Sequence, residues 1–459
     1  MAILVHLNMD KYDFDVVIVG CGPAGAYLGY LLAKEDVDVC IIDKKPRESF
    51  GDKICGGAIF RHCFEALNFG EPMHDCISNA LPITKINFAN ICNVLYRRPL
   101  YIIDRVKFIS KITEMAERYG ANIIDKCRIT RPIISNNVVK GVKARCGGQT
   151  KEIRARITVD ASGVSGIIRN NIHNNIVRWH FRLDEMAVAY RQIADIKENV
   201  GNKATIYFNQ EILHGGYLWI FPMGKTRINI GLGTLLHYIR PRSLKHLFRI
   251  LTKRLYRELT DKGLTIHEGV GFIPVRRPFS MLVWNGLIII GDAAAQVNPI
   301  HAGGICSAMR ASEIALPTIL AIIDRANSIP TIKDLWQYSY EYNRTEGAKH
   351  AIFELARIFL QGTKNKELAI MIPLLKFVSK GSWGIINEYI GLGKCRYSML
   401  VGIVDPRNPV RIFKKLKFFA KLSRIIRMHY ANYPRNPSKI TMWERIVEAL
   451  FKEAASHLT

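Results

Sequence analysis

The feature that most constrains this chain is a glycine-rich turn between an apolar stretch and an apolar-periodic one near the N-terminus. Residues 14–19 predict a strand, Gly20, Gly22 and Gly25 follow with the spacing G-x-G-x-x-G, and residues 26–33 predict a helix. The first glycine allows a tight turn, the second lets the backbone approach a pyrophosphate, and the third lets helix and strand pack closely. The turn therefore predicts a dinucleotide-binding fold, with the helix N-terminus facing the phosphates.

An acidic residue at the end of the next predicted strand supports this interpretation. Asp43 closes the strand predicted over residues 37–42 and stands 18 residues after Gly25. A carboxylate at this point accepts hydrogen bonds from the adenosine ribose hydroxyls and disfavours a 2′-phosphate. The turn, its flanking strands and the acid together favour a dinucleotide site over an ordinary glycine-rich turn.

A second glycine-rich block, near residue 300, distinguishes a flavin from a nicotinamide. An apolar stretch over residues 287–290 ends in Gly291 and Asp292, and Gly303 and Gly304 then open another predicted helix. An aspartate in this position can hydrogen-bond the ribityl or pyrophosphate part of a flavin, and the two glycines let backbone N–H groups approach its ring. A protein that binds only NAD has no need of this block.

The order and spacing of these blocks resemble a known class of protein. A third block, Asp160-Ala-Ser-Gly163, lies between the other two and again follows an apolar strand. Together they resemble the glutathione-reductase-type flavoproteins, which include aromatic hydroxylases and geranylgeranyl reductases, over about the first three quarters of the chain. The hydroxylases usually read D-G in the middle block, so the departure argues mildly against that branch. Arg105, at the head of a predicted helix, matches the arginine that the family uses against FAD.

Two further segments resemble geranylgeranyl reductases in particular. The first is their cysteine-glycine segment, here Cys55, Gly56 and Gly57, and the second is their substrate-side string, here Tyr217, Trp219, Phe221 and Pro222. A free cysteine more often fills buried space, and aromatic side chains on one strand face more often belong to a core. The resemblance favours the functional interpretation of both segments.

The resemblance implies a cofactor, a substrate and a reaction. The cofactor is FAD, the substrate is the geranylgeranyl chain of archaeal ether lipids, and the reaction places a hydride on one alkene carbon and a proton on the other. Cys55 is the expected proton donor, and the four residues of the aromatic string are expected to wall the lipid. The residues expected to bind FAD are Gly20, Gly22, Ala24, Gly25, Asp43, Cys55, Gly56, Gly57, Arg105, Cys127, Asp160, Gly291, Asp292, Gly303, Gly304 and Ile305.

The predicted architecture is α/β, with a Rossmann-like FAD-binding domain assembled from separated segments. We expect residues 1–175, with a small insertion near 76–100, and residues 286–345 to form this domain. An antiparallel-sheet substrate domain is expected over residues 176–285, and a helical basic region over 346–459. No uninterrupted apolar run reaches the roughly 18–20 residues that a spanning helix needs.

The chain carries 65 Lys and Arg against 39 Asp and Glu, a net charge of +26, which predicts polyanionic partners. Ten of these basic residues, and no acid, lie between Pro406 and Trp443. Here Ile412, Leu416, Phe419 and Ile426 share one helical face, and Lys414, Lys417, Lys421 and Arg424 share another. The pattern is typical of an interfacial helix on anionic lipid, and equally of a helix packed on the catalytic domain. A lipid substrate favours peripheral contact with the membrane.

The remaining expectations concern chemistry and location. The ten cysteines include no C-x-x-C and the histidines no H-E-x-x-H, so we expect no metal site, and His301 is the one histidine of interest. Reduced cysteines and the absence of a signal peptide favour the cytoplasm, at the inner face of the cell membrane. Without a second complete G-x-G-x-x-G, we expect a transient electron donor, either reduced ferredoxin or NADPH.

Two other functions are alternatives to lipid reduction. An aromatic hydroxylase would consume oxygen and NAD(P)H, and the middle block and the aromatic string argue against it. A flavoprotein that binds RNA would explain the positive charge. No RNA-binding module is recognisable, so no nucleic-acid partner is expected.

Overall fold

A computed structural model describes residues 12–67, 69–70, 73–197, 199–255, 264–325, 330–368, 390–392 and 407–458. Within these residues, one sheet carries the predicted dinucleotide fold. Its strands are β1 (Phe14–Val19), β2 (Val39–Ile42), β8 (Asn122–Ile124), β9 (Cys127–Ser135), β10 (Val138–Cys146), β11 (Gln149–Asp160), β17 (Val283–Trp284) and β18 (Leu287–Ile289). The order is β17-β18-β11-β1-β2-β8, with β9 and β10 added as antiparallel neighbours of β11. The five strands from β18 to β8 run parallel, as a Rossmann-like fold requires.

The second sheet is the substrate-side sheet of the prediction. It runs in the order β16-β12-β15-β14-β13-β5-β6-β19 and is antiparallel except between β13 and β5. Its strands are β5 (Ile83–Phe88), β6 (Cys92–Tyr96), β12 (Met186–Asp195), β13 (Lys203–Phe208), β14 (Tyr217–Pro222), β15 (Arg227–Leu235), β16 (Leu264–Pro274) and β19 (Ile390–Leu392). One of its faces packs with α4 (Pro241–Leu255) around a separate apolar core that includes Leu218, Ile230 and Phe248.

The segment near 76–100, expected as a small insertion in the FAD domain, joins other sheets instead. Strands β5 and β6 extend the substrate-side sheet, because β5 pairs in parallel with β13 from Lys203 to Phe208. The flanking strands form a small third sheet, β3 (Ala58–Phe60), β7 (Leu100–Ile103) and β4 (Ile77–Leu81). Its residues pack on both sides: Leu100 and Ile102 share a core with the substrate-side sheet, and Tyr101 and Ile103 belong to the main core.

The helices of the dinucleotide domain pack on the first sheet. They are α1 (Pro23–Lys34), α2 (Arg61–Glu65), α3 (Arg105–Arg118), α5 (Ile305–Ile323) and α6 (Ile332–Tyr342). Among the described residues, α5 alone is long and apolar enough to cross a membrane by length and composition. Arg310 and Glu313 interrupt it, so it is not the uninterrupted apolar run that the sequence lacks. Half of its most apolar stretch is buried, and it packs against α1 and α6 in the core of the domain.

The basic C-terminal region forms two described helices, α8 (Arg407–Ala431) and α9 (Ile440–Leu458), which pack on α7 (Ala348–Gln361). The apolar face predicted on α8 is turned into the protein: Ile412 and Ile426 are buried, and Leu416 and Phe419 are partly buried against the main core. That face is therefore occupied by protein and is closed to lipid. The predicted basic residues Lys414, Lys417, Lys421 and Arg424 are exposed.

Candidate functional site

The glycine turn after β1 has the geometry that its sequence predicts. Gly20 has a φ of +106°, and its N–H donates to the carbonyl of Ile42 at 2.8 Å. A Cβ on Gly25 would stand 1.9 Å from the Gly20 oxygen, so no larger residue fits there. Gly22 caps α1, and a Cβ on it would meet nothing within 4 Å, which leaves open space at the helix N-terminus.

Asp43 lies directly beside this turn. Its carboxylate accepts the N–H of Cys21 at 2.7 Å and the N–H of Lys45 at 2.8 Å, one on each oxygen. Each carboxylate oxygen can accept a further hydrogen bond, so ribose hydroxyls could still bind here. The carboxylate is half-buried at the end of β2, as the spacing from Gly25 predicts.

Cys127 lies next to Asp43, and its N–H donates to the Asp43 carbonyl at 2.9 Å. Its sulfur is bonded to that of Cys146, which lies opposite it where β9 and β10 pair. This disulfide differs from our expectation of reduced cysteines, and it arises because the strand register brings the two Cα atoms to 4.3 Å. Cys127 is fully buried, with its sulfur and its N–H both engaged, so its expected contact with FAD stays a prediction.

Asp160 closes β11 but does not present its carboxylate to the surface. The side chain is fully buried and accepts hydrogen bonds from the hydroxyl of Ser162 and from the backbone N–H groups of Ser162, Ile168 and Arg169. These hydrogen bonds from Asp160 hold the turn that follows β11, in the block Asp160-Ala-Ser-Gly163, from its buried side. Any contact of this block with a cofactor would come from the backbone that Asp160 shapes.

The block near residue 300 meets both the first glycine turn and the Cys55 segment. A Cβ on Gly291, whose φ is +67°, would stand 3.1 Å from the Cβ of Ala24 in α1. The carboxylate of Asp292 pairs with Lys53 at 2.5 Å, and a Cβ on Gly304 would stand 3.3 Å from it. The structure thus brings together the predicted residues from α1, this turn and the segment before Cys55. Gly303 and Ile305 flank Gly304, and Ile305 begins α5.

Arg105 is the first residue of α3, as the sequence predicts, and its Nε donates to the Gly51 carbonyl at 3.1 Å. The neighbouring carbonyl of Gly57, at a φ of +66°, accepts the N–H of Ile103 at 2.9 Å. These two contacts hold the chain from residue 51 to residue 57 against the start of α3. Arg105 and the Cys55 segment therefore belong to one site.

The aromatic string lies on the face of the substrate-side sheet that the Cys55 segment covers. Tyr217, Trp219 and Phe221 alternate along β14 and share this face. A Cβ on Gly56 would stand 2.8 Å from the ring of Phe221 and 3.5 Å from Nε1 of Trp219. The hydroxyl of Tyr217 donates to the carbonyl of His301 at 2.6 Å, which ties this face to the turn near residue 300. Pro222 ends the strand, and its carbonyl accepts from Asn79 at 3.1 Å.

Sequence reasoning missed two parts of this site. One is Asn229 on β15, whose side chain links Trp219 to Cys55. The other is a floor of glycines on β15 and β16: a Cβ on Gly269 or Gly271 would stand 2.7 and 3.1 Å from the side chain of Ile54. The spacing G-x-G, which occurs at residues 231–233 and again at 269–271, was the available signal, because glycine in a strand often marks a close backbone approach.

The surroundings of Cys55 favour its thiolate. Burial by itself raises the pKa of this thiol, but the Arg105 guanidinium, the Gly57 N–H at 3.3 Å and Lys53 outweigh burial and hold the pKa below its usual value. On the same face, burial and the nearby Cys55 raise the pKa of Tyr217. Cys55 is therefore the more acidic of the two groups on this face. Among the described residues, no cluster of His, Cys, Asp or Glu could hold a metal ion.

The fold and the site define a class of protein. A Rossmann-like dinucleotide domain and a mixed sheet meet at a cysteine-containing segment, which contacts the glycine turns of the one and the aromatic face of the other. Residues 18–52 match a family model described as an NAD(P)-binding Rossmann-like domain, and residues 185–273 match the geranylgeranyl reductase catalytic domain. A geranylgeranyl bacteriochlorophyll reductase-like protein from Thermoplasma acidophilum has the same fold, with a TM-score of 0.73 at 20% identity, over 88% of this chain and 99% of that one. A myxobacterial chondrochloren halogenase, described as a variant of FAD-dependent halogenases, has a TM-score of 0.61 at 16% identity, over 75% and 82%.

Curated relatives identify the family. The chain is 28% identical to the digeranylgeranylglycerophospholipid reductase of Sulfolobus acidocaldarius, over 97% of this chain and 99% of the relative. It is 30% identical to the enzyme of that name from Methanoculleus marisnigri, over 66% and 76%. The chain therefore belongs to the digeranylgeranylglycerophospholipid reductase family and is an oxidoreductase that acts on carbon–carbon bonds. The expected family is confirmed, and the hydroxylase and RNA-binding alternatives are not favoured.

Proposed function

We propose that this protein binds FAD and uses it to reduce the double bonds of geranylgeranyl chains on archaeal membrane ether lipids. One observation carries the proposal. The Cys55 segment is held between the dinucleotide turns, through Lys53 and Asp292, and the aromatic face, through Gly56 and Phe221. A flavin at the turns and an alkene on the aromatic face would both lie beside one ionisable thiol.

The residues of the dinucleotide domain fit FAD. Open space beside Gly22 suits a pyrophosphate at the start of α1, and the free acceptor capacity of Asp43 suits the adenosine ribose. We expect Asp43→Ala to weaken FAD retention about ten- to hundredfold, because hydrogen bonds to a charged group contribute roughly 1.5–3 kcal/mol each. The matched control is Glu35→Ala, an exposed acid at the end of α1.

Retention is measured by equilibrium dialysis, with FAD identified by its absorbance after the protein is denatured. If Asp43→Ala retains FAD as well as Glu35→Ala does, the proposed ribose contact is wrong. If the released chromophore is not FAD, the cofactor assignment fails independently of Asp43.

The chain supplies a proton donor for the reaction. The chemistry that reduced FAD would supply, when bound at the glycine turns, is a hydride for one alkene carbon. Cys55 gives its S–H proton to the other carbon, which receives the electron pair of the double bond, and the thiolate is then reprotonated from solvent. Trp219 and Phe221, both buried, would hold the prenyl chain and exclude water.

We also propose that α8 contacts anionic membrane through its solvent-facing side. Phe413 is 68% exposed and Met428 is 57% exposed, and they stand among the exposed basic residues of the helix. Apolar side chains beside Lys and Arg suit the headgroup region of an anionic bilayer. This placement replaces the apolar face first expected to enter lipid, and with it we propose a location at the inner face of the cell membrane.

Vesicle sedimentation tests this contact. The double variant Lys417→Glu/Lys421→Glu should lose most binding to vesicles of phosphatidylglycerol and phosphatidylcholine at low salt. The control, Arg128→Glu/Arg131→Glu, makes the same charge change on exposed positions of β9 and should still bind. Equal binding by the two variants would overturn the assignment of α8.

The positive surface also favours a reduced, acidic ferredoxin as electron donor. Under anaerobic conditions, reduced ferredoxin should support turnover that weakens as salt is raised. NADPH is the other candidate. Salt-independent turnover with NADPH alone would identify NADPH as the electron donor.

Product analysis tests the proposed reaction. The full-length protein is loaded with FAD and incubated with dithionite and geranylgeranylated glycerophospholipid under argon. The lipid should gain two hydrogens for each double bond reduced, as measured by mass spectrometry. An unchanged lipid mass with fully reduced flavin would contradict the proposal.

A further inference from the structure

Arg191 is a buried arginine on the face of the substrate-side sheet that the Cys55 segment covers. Arg191 stands on β12, directly opposite Gly269 of β16 on one side and Gly231 of β15 on the other. Gly231 in turn lies opposite Trp219 of β14. Directly opposed residues of antiparallel strands project to the same face. Arg191 is therefore the one long side chain between two glycines on the face that the Cys55 segment covers.

The path of the segment across the sheet places it over this side chain. Ile54 lies against Gly269 on β16, at 2.7 Å from the position of a Cβ. The carbonyl of Cys55 accepts a hydrogen bond from the side-chain amide of Asn229 on β15, and Gly56 lies against Phe221 on β14. The three residues thus cross from β16 to β14, and β12 runs between β16 and β15.

The polar contacts of Arg191 leave part of its guanidinium available. The side chain is only 4% exposed, and Nη1 lies 3.0 Å from Nδ1 of His267. Its buried Nε has no hydrogen-bond partner within the described part of the chain. Burial lowers the pKa of Arg191, and the group that opposes this effect most is Cys55, followed by Asp52. A buried cation is costly unless an anion or acceptor lies beside it.

We propose that Arg191 is a positioning residue that stabilises the thiolate that Cys55 becomes when it gives up its proton, and so makes this thiol a stronger acid for the reduction. The acid role rests on the proposed function, whereas the effect of Arg191 on the sulfur does not. Arg191 acts on the sulfur from β12, on the face of the sheet that the segment covers, and Arg105 acts from the start of α3. The charged and titratable groups around the sulfur are Asp52 and Lys53 from its own segment, Arg105 from α3, Arg191 from β12 and Tyr217 from β14.

The acidity of Cys55 can be measured in the FAD-loaded, full-length protein. Iodoacetamide alkylates thiolates, so its rate on the Cys55 peptide, followed by mass spectrometry between pH 5 and pH 10, gives a titration midpoint. An opposite charge at about 4–6 Å lowers an acid's midpoint by about 1–3 units. We expect Arg191→Met and Arg191→Gln each to raise the midpoint by about one unit or more, and Arg191→Lys to keep it near the wild-type value. The matched control, Arg249→Met, removes an exposed charge from α4 on the opposite face and should leave the midpoint unchanged.

An unchanged midpoint in either neutral variant would overturn the proposal, as would an equal rise in Arg191→Lys. A purely structural role would lower the melting temperature of all three variants without separating Lys from Gln. Cys55→Ser tests the proposed function separately. If lipid reduction is unaffected by Cys55→Ser while the alkylation midpoint still moves with Arg191, the acid role fails and the effect of Arg191 on the sulfur stands.

Discussion

The side-chain amide of Asn229 donates a hydrogen bond of 2.9 Å to the carbonyl oxygen of Cys55, across 174 residues of sequence. The same amide accepts from the indole Nε1 of Trp219 at 2.9 Å. One side chain thus fixes the backbone of the candidate acid and the central ring of the aromatic face at the same time. This link ties the position of the Cys55 segment to that of the aromatic face.

The first prediction follows from this link. Asn229→Ala should reduce lipid turnover about ten- to hundredfold while FAD stays bound. The change leaves a buried carbonyl and a buried indole N–H unsatisfied, at a cost of roughly 1–3 kcal/mol each, and a small displacement of a reacting group is costly in rate. Initial rates measured by lipid mass give the comparison, with the exposed Asn122→Ala of β8 as control. Equal rates for the two variants would remove Asn229 from the site.

The thiol itself gives a second prediction. Cys55→Ala should slow alkene reduction by about 10²–10⁴-fold, the usual contribution of a positioned acid, and should leave FAD bound. Cys55→Ser keeps the size of the side chain, but a serine hydroxyl is a much weaker acid than a thiol. This variant should therefore be nearly as slow as Cys55→Ala. Turnover by Cys55→Ala at the wild-type rate would exclude the thiol from the mechanism.

Gly231, the glycine of β15 opposite Trp219, gives a prediction about stability. A Cβ on Gly231 would stand 2.4 Å from the Trp219 ring and 2.5 Å from the Tyr190 carbonyl, so Gly231→Ala should lower the free energy of unfolding by about 1–3 kcal/mol. Gly224→Ala is the matched control, because a Cβ there meets nothing within 4 Å. Urea denaturation followed by tryptophan fluorescence measures both. A Gly231→Ala protein as stable as the control would contradict the packing described for this face.

A buried carboxylate gives a pH dependence. Glu185 is almost fully buried, which by itself raises its pKa, but Arg276 at 3.5 Å and Arg178 at 2.7 Å outweigh burial and lower the pKa well below its usual range. A lowered pKa in the folded state means that the carboxylate stabilises the fold above its unfolded pKa of about 4.3. That contribution is lost as the pH falls below this value.

Glu185→Gln should therefore be less stable than wild type at pH 7, by about 3 kcal/mol, because it removes a buried carboxylate from Arg276 and Arg178, which keep only the more distant Glu448 at 3.9 and 3.3 Å. Its free energy of unfolding should also fall less than that of wild type between pH 5 and pH 3. Urea denaturation at each pH tests both statements. Parallel pH profiles for the two proteins would show that Glu185 is not the group responsible.

Much of the dinucleotide site could be predicted because its determinants are local. The turn from Gly20 to Gly25 requires particular backbone angles and close approaches, and the distance to Asp43 follows from one helix and one strand. The strand that carries Tyr217, Trp219 and Phe221 was predictable for the same reason, since period-two patterning is a local signal. Each of these features depends on residues that are near one another in sequence.

The features that sequence reasoning missed depend on long-range pairing. Nothing local says that β5 joins β13 in parallel, that Cys127 lies opposite Cys146, or that Arg191 and Asn229 face a segment near residue 55. The apolar face of α8 was recognised, but the sequence left its partner open between lipid and protein, because a helix that packs on protein and one that lies on lipid share one pattern. Each of these features depends on tertiary contacts, which local sequence patterns do not reveal.

The most direct test of the account is a single turnover in the absence of oxygen. The FAD-loaded protein is reduced with one equivalent of dithionite and mixed with geranylgeranylated glycerophospholipid, while flavin absorbance and lipid mass are followed together. The account predicts that the flavin is reoxidised as the lipid gains two hydrogens per flavin. Flavin that stays reduced with the lipid, but is reoxidised in air with NAD(P)H and an aromatic substrate, would contradict it and favour a hydroxylase.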